Sequence, residues 1–510
     1  MADRFIIRPG KFTFDELRAL NDEACPLDLD PDCWPRVDAA VQVIAAALRA
    51  GETVYGINTG FGSLARTRIT ATEISELQHR LVRSHAAGVG PLLPDDTVRL
   101  ILTLKINSLA QGHSGVCREV IETLIALLNE GMYPCVPAKG SVGASGDLAP
   151  LAHIAAVLIG EGQVRGGGKI VSGRDALRRL GIGPLVLQAK EGLALVNGTQ
   201  VSAALLAKGL FAAENVFAAA LVAGAMSVDA ALGSDSPFDG RIHELSGHPG
   251  QLTVAQILSA LLRDSEIRAS HLDCDRVQDP YSLRCQPQIM GACLDLLHHA
   301  AAVLVRDANA VSDNPLVFAE SSEILSGGNF HAESVALTAD IVALALSEIG
   351  ALSERRIALL TDSNMSELPA FLIAKPGLNS GFMSAQITAA ALASENKALA
   401  HPAGIDSLPT SANQEDHVSM SAYAARRLAE MAENAAAIVA IELLAAAQGI
   451  DMRQPKSTSA ALQRALVEVR ARAPFLDEDR AMSAEIAAVQ GLVSSGLFRD
   501  LAPFRLTPSG

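Results

Sequence analysis

Ala144, Ser145 and Gly146 stand in a row that can turn into an electrophile. Gly146 has no Cβ, so the backbone there can fold tightly back on itself. Its amide nitrogen can then attack the carbonyl carbon of Ala144, and loss of water closes a five-membered ring. Loss of the Ser145 hydroxyl leaves an exocyclic methylene. The product is a 4-methylidene-imidazol-5-one (MIO), an electron-poor alkene built from the chain itself. Ordinary side chains supply nucleophiles, acids and bases; an electron sink has to be bound or built. In isolation the tripeptide reads as a turn. Its setting, Gly140-Ser141-Val142-Gly143-Ala144-Ser145-Gly146-Asp147-Leu148-Ala149-Pro150-Leu151-Ala152-His153, is far more specific.

The elements around this run must position it. Asp147-Leu148-Ala149-Pro150 predicts a helix start with an acid in its first turn, and a helix N-terminus favours negative charge nearby. Upstream, Thr13-Phe14-Asp15-Glu16 is a capping box, with Phe12 and Leu17 as its hydrophobic staple. A helix is expected from about residue 36 to 50, stopping at Gly51. Val54-Tyr55-Gly56-Ile57-Asn58-Thr59-Gly60-Phe61-Gly62 is a glycine-rich loop. Thr72 is expected to cap a helix with Leu77, Leu81 and His85 on one stripe. Two helices follow, near 96–111 and 117–130. Residues 160–173 form a glycine-rich surface excursion. Leu193-Ala194-Leu195-Val196-Asn197-Gly198 leads into a long alanine-rich helix to about Leu232, and Asn197 could serve as its cap. Gln278-Asp279-Pro280-Tyr281-Ser282-Leu283-Arg284 turns from loop into helix, and the Arg284 fork suits a carboxylate. Ser326-Gly327-Gly328-Asn329-Phe330-His331 precedes a helix to about Leu360. Ser411-Ala412-Asn413-Gln414-Glu415-Asp416-His417 opens a last long helix ending near Gly449, with Glu415 in its first turn.

Taken together, these runs strongly resemble the aromatic amino acid ammonia-lyase family over nearly the whole chain. The resemblance implies a mainly α fold, a long-helix bundle of the ammonia-lyase and fumarase type, with a smaller mixed N-terminal region. A division at 1–110 and 111–510 is expected, the first part carrying Tyr55 and His85. The implied activity is elimination of ammonia from L-histidine to give trans-urocanate. The implied cofactor is MIO from Ala144-Ser145-Gly146, with Asp147 supporting cyclisation and no external cofactor or metal. By the same resemblance Tyr55 is the base, and Asn197 and Tyr281 serve the electrophile. His85, Gln278, Arg284, Phe330 and Glu415 hold the substrate. A carboxylate such as Glu415 against a phenyl ring loses solvation without compensation; against an imidazole N–H it gains a charge-assisted bond. That favours histidine over phenylalanine or tyrosine, although an ammonia-lyase or aminomutase on those residues stays open. The resemblance also implies a homotetramer with shared active sites.

Composition narrows the alternatives. The 510 residues are 49% hydrophobic and only 4% aromatic, and few segments alternate strictly, which points to helices. A net charge of −15 argues against nucleic acid or an anionic membrane as partner. The seven cysteines are odd in number, and no Cys-x-x-Cys pair or zinc-ligand spacing occurs. A reducing cytoplasmic setting is expected. The N-terminus has no signal-peptide pattern. The apolar stretch 216–228, between Glu214 and Asp229, is too short to span a bilayer and predicts a buried core helix. Gly60-x-Gly62-x-x-Ala65 imitates a dinucleotide fingerprint, but residues 78–94 lack the acidic residue expected about twenty positions later. Gly143-Ala144-Ser145-Gly146-Asp147 approaches the nucleophile elbow of a serine hydrolase and fails at its fifth position.

Overall fold

The structure, a computed structural model, describes residues 4–271 and 277–506. Its contacts divide the chain into two units. The first comprises Met1–Lys208, Ala301–Asp340 and Pro402–Arg426; the second comprises Gly209–Ala300, Ile341–His401 and Arg427–Gly510. Helices dominate throughout, and the described strands form only small sheets of two or three strands.

In the first unit, Phe14–Asp22 begins as the capping box predicts. The Thr13 hydroxyl accepts from the Glu16 N–H, and the Glu16 carboxylate accepts from the Thr13 N–H at 2.8 Å. Trp34–Arg49 follows, and its inner face packs Ala40 and Ile44 against Ile57 and Val317. This small core anchors the glycine-rich loop through Ile57. Ile74–His85 forms as expected, but Thr72 does not cap it. A short 3-10 turn, Ala71–Glu73, intervenes, and Thr72 shares a hydroxyl contact with Thr70 instead. Asp95–Leu109 and Arg118–Asn129 lie close to their expected bounds. The glycine-rich excursion is a hairpin, Gln163–Gly166 paired antiparallel with Lys169–Ser172.

The second unit is built on long helices. The stretch 216–228 is buried throughout, as expected of core. It belongs to a helix much longer than the stretch itself, Gln200–Ala230. Glu214 and Asp229 do not end it. Both are buried, and Asp229 accepts from the Ser265 hydroxyl at 2.8 Å and from Thr458 at 2.5 Å. Among the described residues three helices, Gln200–Ala230, Gln286–Ala308 and Glu333–Thr361, are long and apolar enough to cross a membrane by length and composition. Within this unit Glu442 ties three helices together. It accepts from Arg356 Nη2 at 2.8 Å, from Ser227 at 2.7 Å and from Ser353 at 2.6 Å, all buried. Two amphipathic helices, Ala460–Arg470 and Ser483–Ser494, complete the C-terminal part.

Candidate active site

Ala144, Ser145 and Gly146 lie on a bend just before the helix Leu148–Leu158. Gly146 has φ +75, and a Cβ there would come within 2.3 Å of the Gly198 carbonyl oxygen. The two glycines pair as a parallel bridge, and Asp147 N–H donates to Gly198 O at 2.7 Å. Glycine at 146 is therefore needed twice, for its left-handed backbone and for this close approach. Two further segments hold the loop from the other side. Met420 N–H donates to Val142 O at 2.8 Å, while the Ser419 hydroxyl and Ala332 N–H both donate to Gly143 O.

Asn197 caps the C-terminus of the short helix Glu191–Val196 rather than the start of the long one. Its Nδ2 donates to the Ser145 carbonyl oxygen at 3.1 Å. That oxygen is where negative charge gathers if electrons flow into a ring closed through Ser145. A donor fixed there stabilises that charge without reorganising. Asn197 Oδ1 is buried with no hydrogen-bond partner among the described residues, leaving unspent capacity beside the loop.

Asp147 is fully buried. Its carboxylate accepts from Ser202 N–H at 2.8 Å, Ser202 Oγ at 2.7 Å and Ser141 Oγ at 2.9 Å. Burial raises its pKa, and the hydrogen bonds from Ser202 and Ser141 oppose that rise. The acid thus answers the N-terminus of Gln200–Ala230 as well as opening Leu148–Leu158.

Below the loop lies a buried charged set that sequence reasoning missed. Lys105 Nζ donates to Asn197 O at 2.7 Å, and Lys190 pairs with Asp313 at 2.6 Å. Burial lowers the Lys105 pKa to about 7, with Asp313 pulling it back up. Its one visible signal was a lone lysine inside the apolar run Leu100-Ile101-Leu102-Thr103-Leu104-Lys105-Ile106.

Tyr55, His85, Ala144, Ser145, Asn197, Phe330 and Glu415 line one cavity of about 1020 Å³ within the first unit. The Tyr55 loop is shaped by its own polar residues. Asn58 Oδ1 accepts from Val54 N–H at 2.9 Å, and Thr59 Oγ1 accepts from Gly56 N–H at 3.1 Å. Gly56 has φ +71, a left-handed backbone that strains a residue with a side chain, and a Cβ there would lie 2.2 Å from Leu193 Cδ2. The Tyr55 hydroxyl accepts from Gly62 N–H at 3.2 Å.

His85 Nδ1–H donates to Leu81 O at 2.9 Å; the Ser84 hydroxyl is already committed to the same carbonyl. This tautomer leaves Nε2 as an acceptor. Gly88 N–H donates to His153 Nε2 at 3.1 Å, joining the end of this segment to the helix after the electrophile. Burial lowers the His153 pKa, in keeping with a neutral, accepting ring.

Glu415 does not lie in the first turn of a helix. It sits on a loop between the 3-10 turn Ser411–Asn413 and the helix Ser421–Arg426, bridged to Thr410 through both backbones. Oε2 accepts from the Thr410 hydroxyl at 2.5 Å, and Oε1 accepts from the Ser145 hydroxyl at 2.7 Å. Positive φ at Ser411, Ala412 and Asn413 breaks the helical path that the sequence suggested.

Gln278, Tyr281 and Arg284 belong to the second unit. Tyr281–Arg284 is a short helix, as expected, and Tyr281 is 70% exposed. The Arg284 guanidinium stacks over the Tyr281 ring at 4.7 Å and donates Nε–H to Asp279 O at 3.0 Å.

A profile described as aromatic amino acid lyase matches residues 12–471. The chain belongs to the aromatic amino acid lyase family. A histidine ammonia-lyase of Vibrio cholerae is 56% identical over 505 residues, covering 99% of each chain. Among solved structures, a histidine ammonia-lyase of Trypanosoma cruzi is 40% identical with a TM-score of 0.90, covering 98% of this chain and 95% of that one. A tyrosine aminomutase of Streptomyces globisporus is 35% identical with a TM-score of 0.92, covering 99% and 100%. The predominantly helical fold with a small mixed N-terminal region is that of the aromatic amino acid lyases. Their self-derived MIO is the cofactor here too, with no external group indicated. The residues present fit it. Gly146 is held where only glycine fits, Asn197 meets the carbonyl that becomes the ring oxygen, and Ser145 opens onto the cavity.

Proposed function

We propose that this chain eliminates ammonia from L-histidine to give trans-urocanate, with the residues in the following roles. The pairing of an electrophile-forming Ser145 with the Glu415 carboxylate, 2.7 Å apart in one cavity, carries the reading. Once formed from Ala144-Ser145-Gly146, MIO would supply an electron-poor alkene as acceptor for an amine. Every other task falls to side chains. The Ser145 hydroxyl is the group lost in forming the ring, so the finished site frees Glu415 Oε1 for a substrate N–H. His85 Nε2 is a second acceptor on the same cavity. A protonated imidazole has two N–H groups to match them; a phenyl ring has none, and a phenol has one O–H. Phe330 packs against the ring. Tyr55 takes the β-proton. Asn197 holds charge on the Ser145 oxygen.

Arg284 binds the carboxylate as a bidentate fork, and Gln278 and Tyr281 assist at the substrate and the electrophile. These three act in a homotetramer whose sites are shared between chains. Exposed apolar side chains on long helices, Leu344 at 48% and Ile387 at 59%, favour burial against further copies. The six cysteines in the described residues are free, which favours a reducing cytoplasm; Cys274 lies outside the described residues.

The deciding experiment adds L-histidine, L-phenylalanine or L-tyrosine to purified protein and follows product in the ultraviolet. Urocanate formed from L-histidine alone is expected. Cinnamate, coumarate or a β-amino acid as main product would reassign the substrate or turn the enzyme into an aminomutase. The peptide holding Ser145 should lack the mass of two waters. An intact, fluorophosphonate-reactive serine would point to a hydrolase.

A further inference from the structure

His331, Glu333 and His417 offer an imidazole, a carboxylate and an imidazole whose ligand atoms all lie within 4.8 Å of one another. All three belong to the first unit, and both histidines line the cavity. Their hydrogen bonds restrict what the group can do. His331 Nε2–H donates to the His417 carbonyl oxygen at 3.1 Å, which leaves Nδ1 as the ring nitrogen free to serve the cluster. Nδ1 lies 4.0 Å from Glu333 Oε2. Glu333 Oε2 is buried and has no hydrogen-bond partner among the described residues. A buried carboxylate oxygen without a hydrogen bond is unfavourable unless positive charge, a proton on the imidazole or a metal ion, stands beside it. The His417 ring lies 5.8 Å from the His331 ring, tilted by 36°, and it is exposed.

We propose that His331, Glu333 and His417 bind a borderline divalent cation of the Zn²⁺ class. Two imidazoles and one carboxylate suit such an ion, with a position left open toward the cavity. The His331 N–H donating to a backbone carbonyl is the outer support that metal-bound imidazoles commonly have, fixing tautomer and ring orientation. Contracting the cluster to bonding distances of about 2.0–2.2 Å needs a shift on the order of 1 Å, which the exposed His417 side chain can supply. The bound ion ties Glu333, the first residue of a long helix, to the loop that carries Glu415. It therefore stiffens one wall of the cavity without joining the chemistry at Ser145. Ligand spacing in the sequence pointed to no metal, because His417 lies 86 residues beyond His331; only the fold joins them.

The site is independent of which amino acid the enzyme consumes, and its test uses no amino acid. Full-length protein is stripped with a chelator, dialysed, and titrated with Co²⁺ by absorption and with Zn²⁺ by calorimetry. A single saturable site per chain is expected, with visible Co²⁺ bands of a low-coordinate nitrogen and oxygen environment. Glu333→Gln and His417→Gln, checked for folding by circular dichroism, should each weaken binding about tenfold or more. Absence of a saturable site, or unchanged affinity in either variant, overturns the assignment.

Discussion

At the scale of single residues, the site works through a few donors and acceptors whose partners are already fixed. Asn197 Nδ2 has one job, the Ser145 oxygen at 3.1 Å. Asn197→Ala removes a donor aimed at developing charge, a change that costs roughly 10²–10³ in kcat in comparable sites. Steady-state rates over a range of L-histidine should show that loss with KM little changed; a variant keeping more than about a tenth of its turnover would free Asn197 from this duty. Glu415 is expected to act on binding and discrimination instead. Glu415→Gln replaces a charge-assisted bond with a neutral one, worth about 1–2 kcal/mol. The kcat/KM for L-histidine should fall roughly tenfold, and the preference over L-phenylalanine should narrow. An unchanged preference would take ring selection away from Glu415.

At the scale of elements, the loop 141–147 is clamped by pieces of chain remote in sequence, and at Gly146 the clamp leaves no room for a side chain. Gly146→Ala places a methyl against the Gly198 carbonyl and demands φ +75 of a residue with a Cβ. Such strain costs on the order of 1–3 kcal/mol. It should also move the nitrogen that closes the ring. Intact-mass measurement is expected to find Gly146→Ala heavier than the mature parent beyond the added methylene, with waters retained; a fully dehydrated variant would show that the bend tolerates a side chain.

The local signals were readable where they were self-contained. The Thr13 and Glu16 cap needs only its own four residues. The Tyr55 loop is shaped by Asn58 and Thr59 within the motif itself. Glu415 was misplaced because its run looks like a helix start, while the Thr410 bridge and three left-handed residues hold it in a loop. Thr72 lost its capping role to a 3-10 turn. Lys105, Lys190 and Asp313 stayed hidden because their meaning lies in contacts between segments roughly a hundred positions apart or more.

At the scale of the whole molecule, burial of charge sets how stability answers pH. Burial pushes the Asp307 carboxyl up to about 7, against the Thr199 hydroxyl that donates to it and with help from Asp147. Unfolded, the carboxyl ionises near 3.8. Between those values the folded chain keeps a proton that the unfolded chain has lost. The contribution of Asp307 is therefore full below about pH 4, falls as pH rises toward 7, and is level above. Asp307→Asn stays neutral at every pH. Its Tm relative to the parent should climb by several degrees between pH 4 and 7; a constant difference would mean that Asp307 does not titrate in that window. The proposed sharing of sites between chains makes a second prediction at this scale. Ser145→Ala and Arg284→Ala should each be nearly inactive alone. Co-expressed, they should assemble hybrids that regain a substantial fraction of turnover, because some sites would draw both intact residues from different chains. Co-expressed material as inactive as either parent would place Ser145 and Arg284 in one chain's site. The clamp on the electrophile has a further consequence, in time rather than space. Residues 332, 419 and 420 hold Val142 and Gly143. A nascent chain whose tripeptide has just left the ribosome still lacks the segments that bend it. Maturation must then wait until the ribosome has translated most of the message, so half-made chains carry an ordinary serine and no reactive alkene.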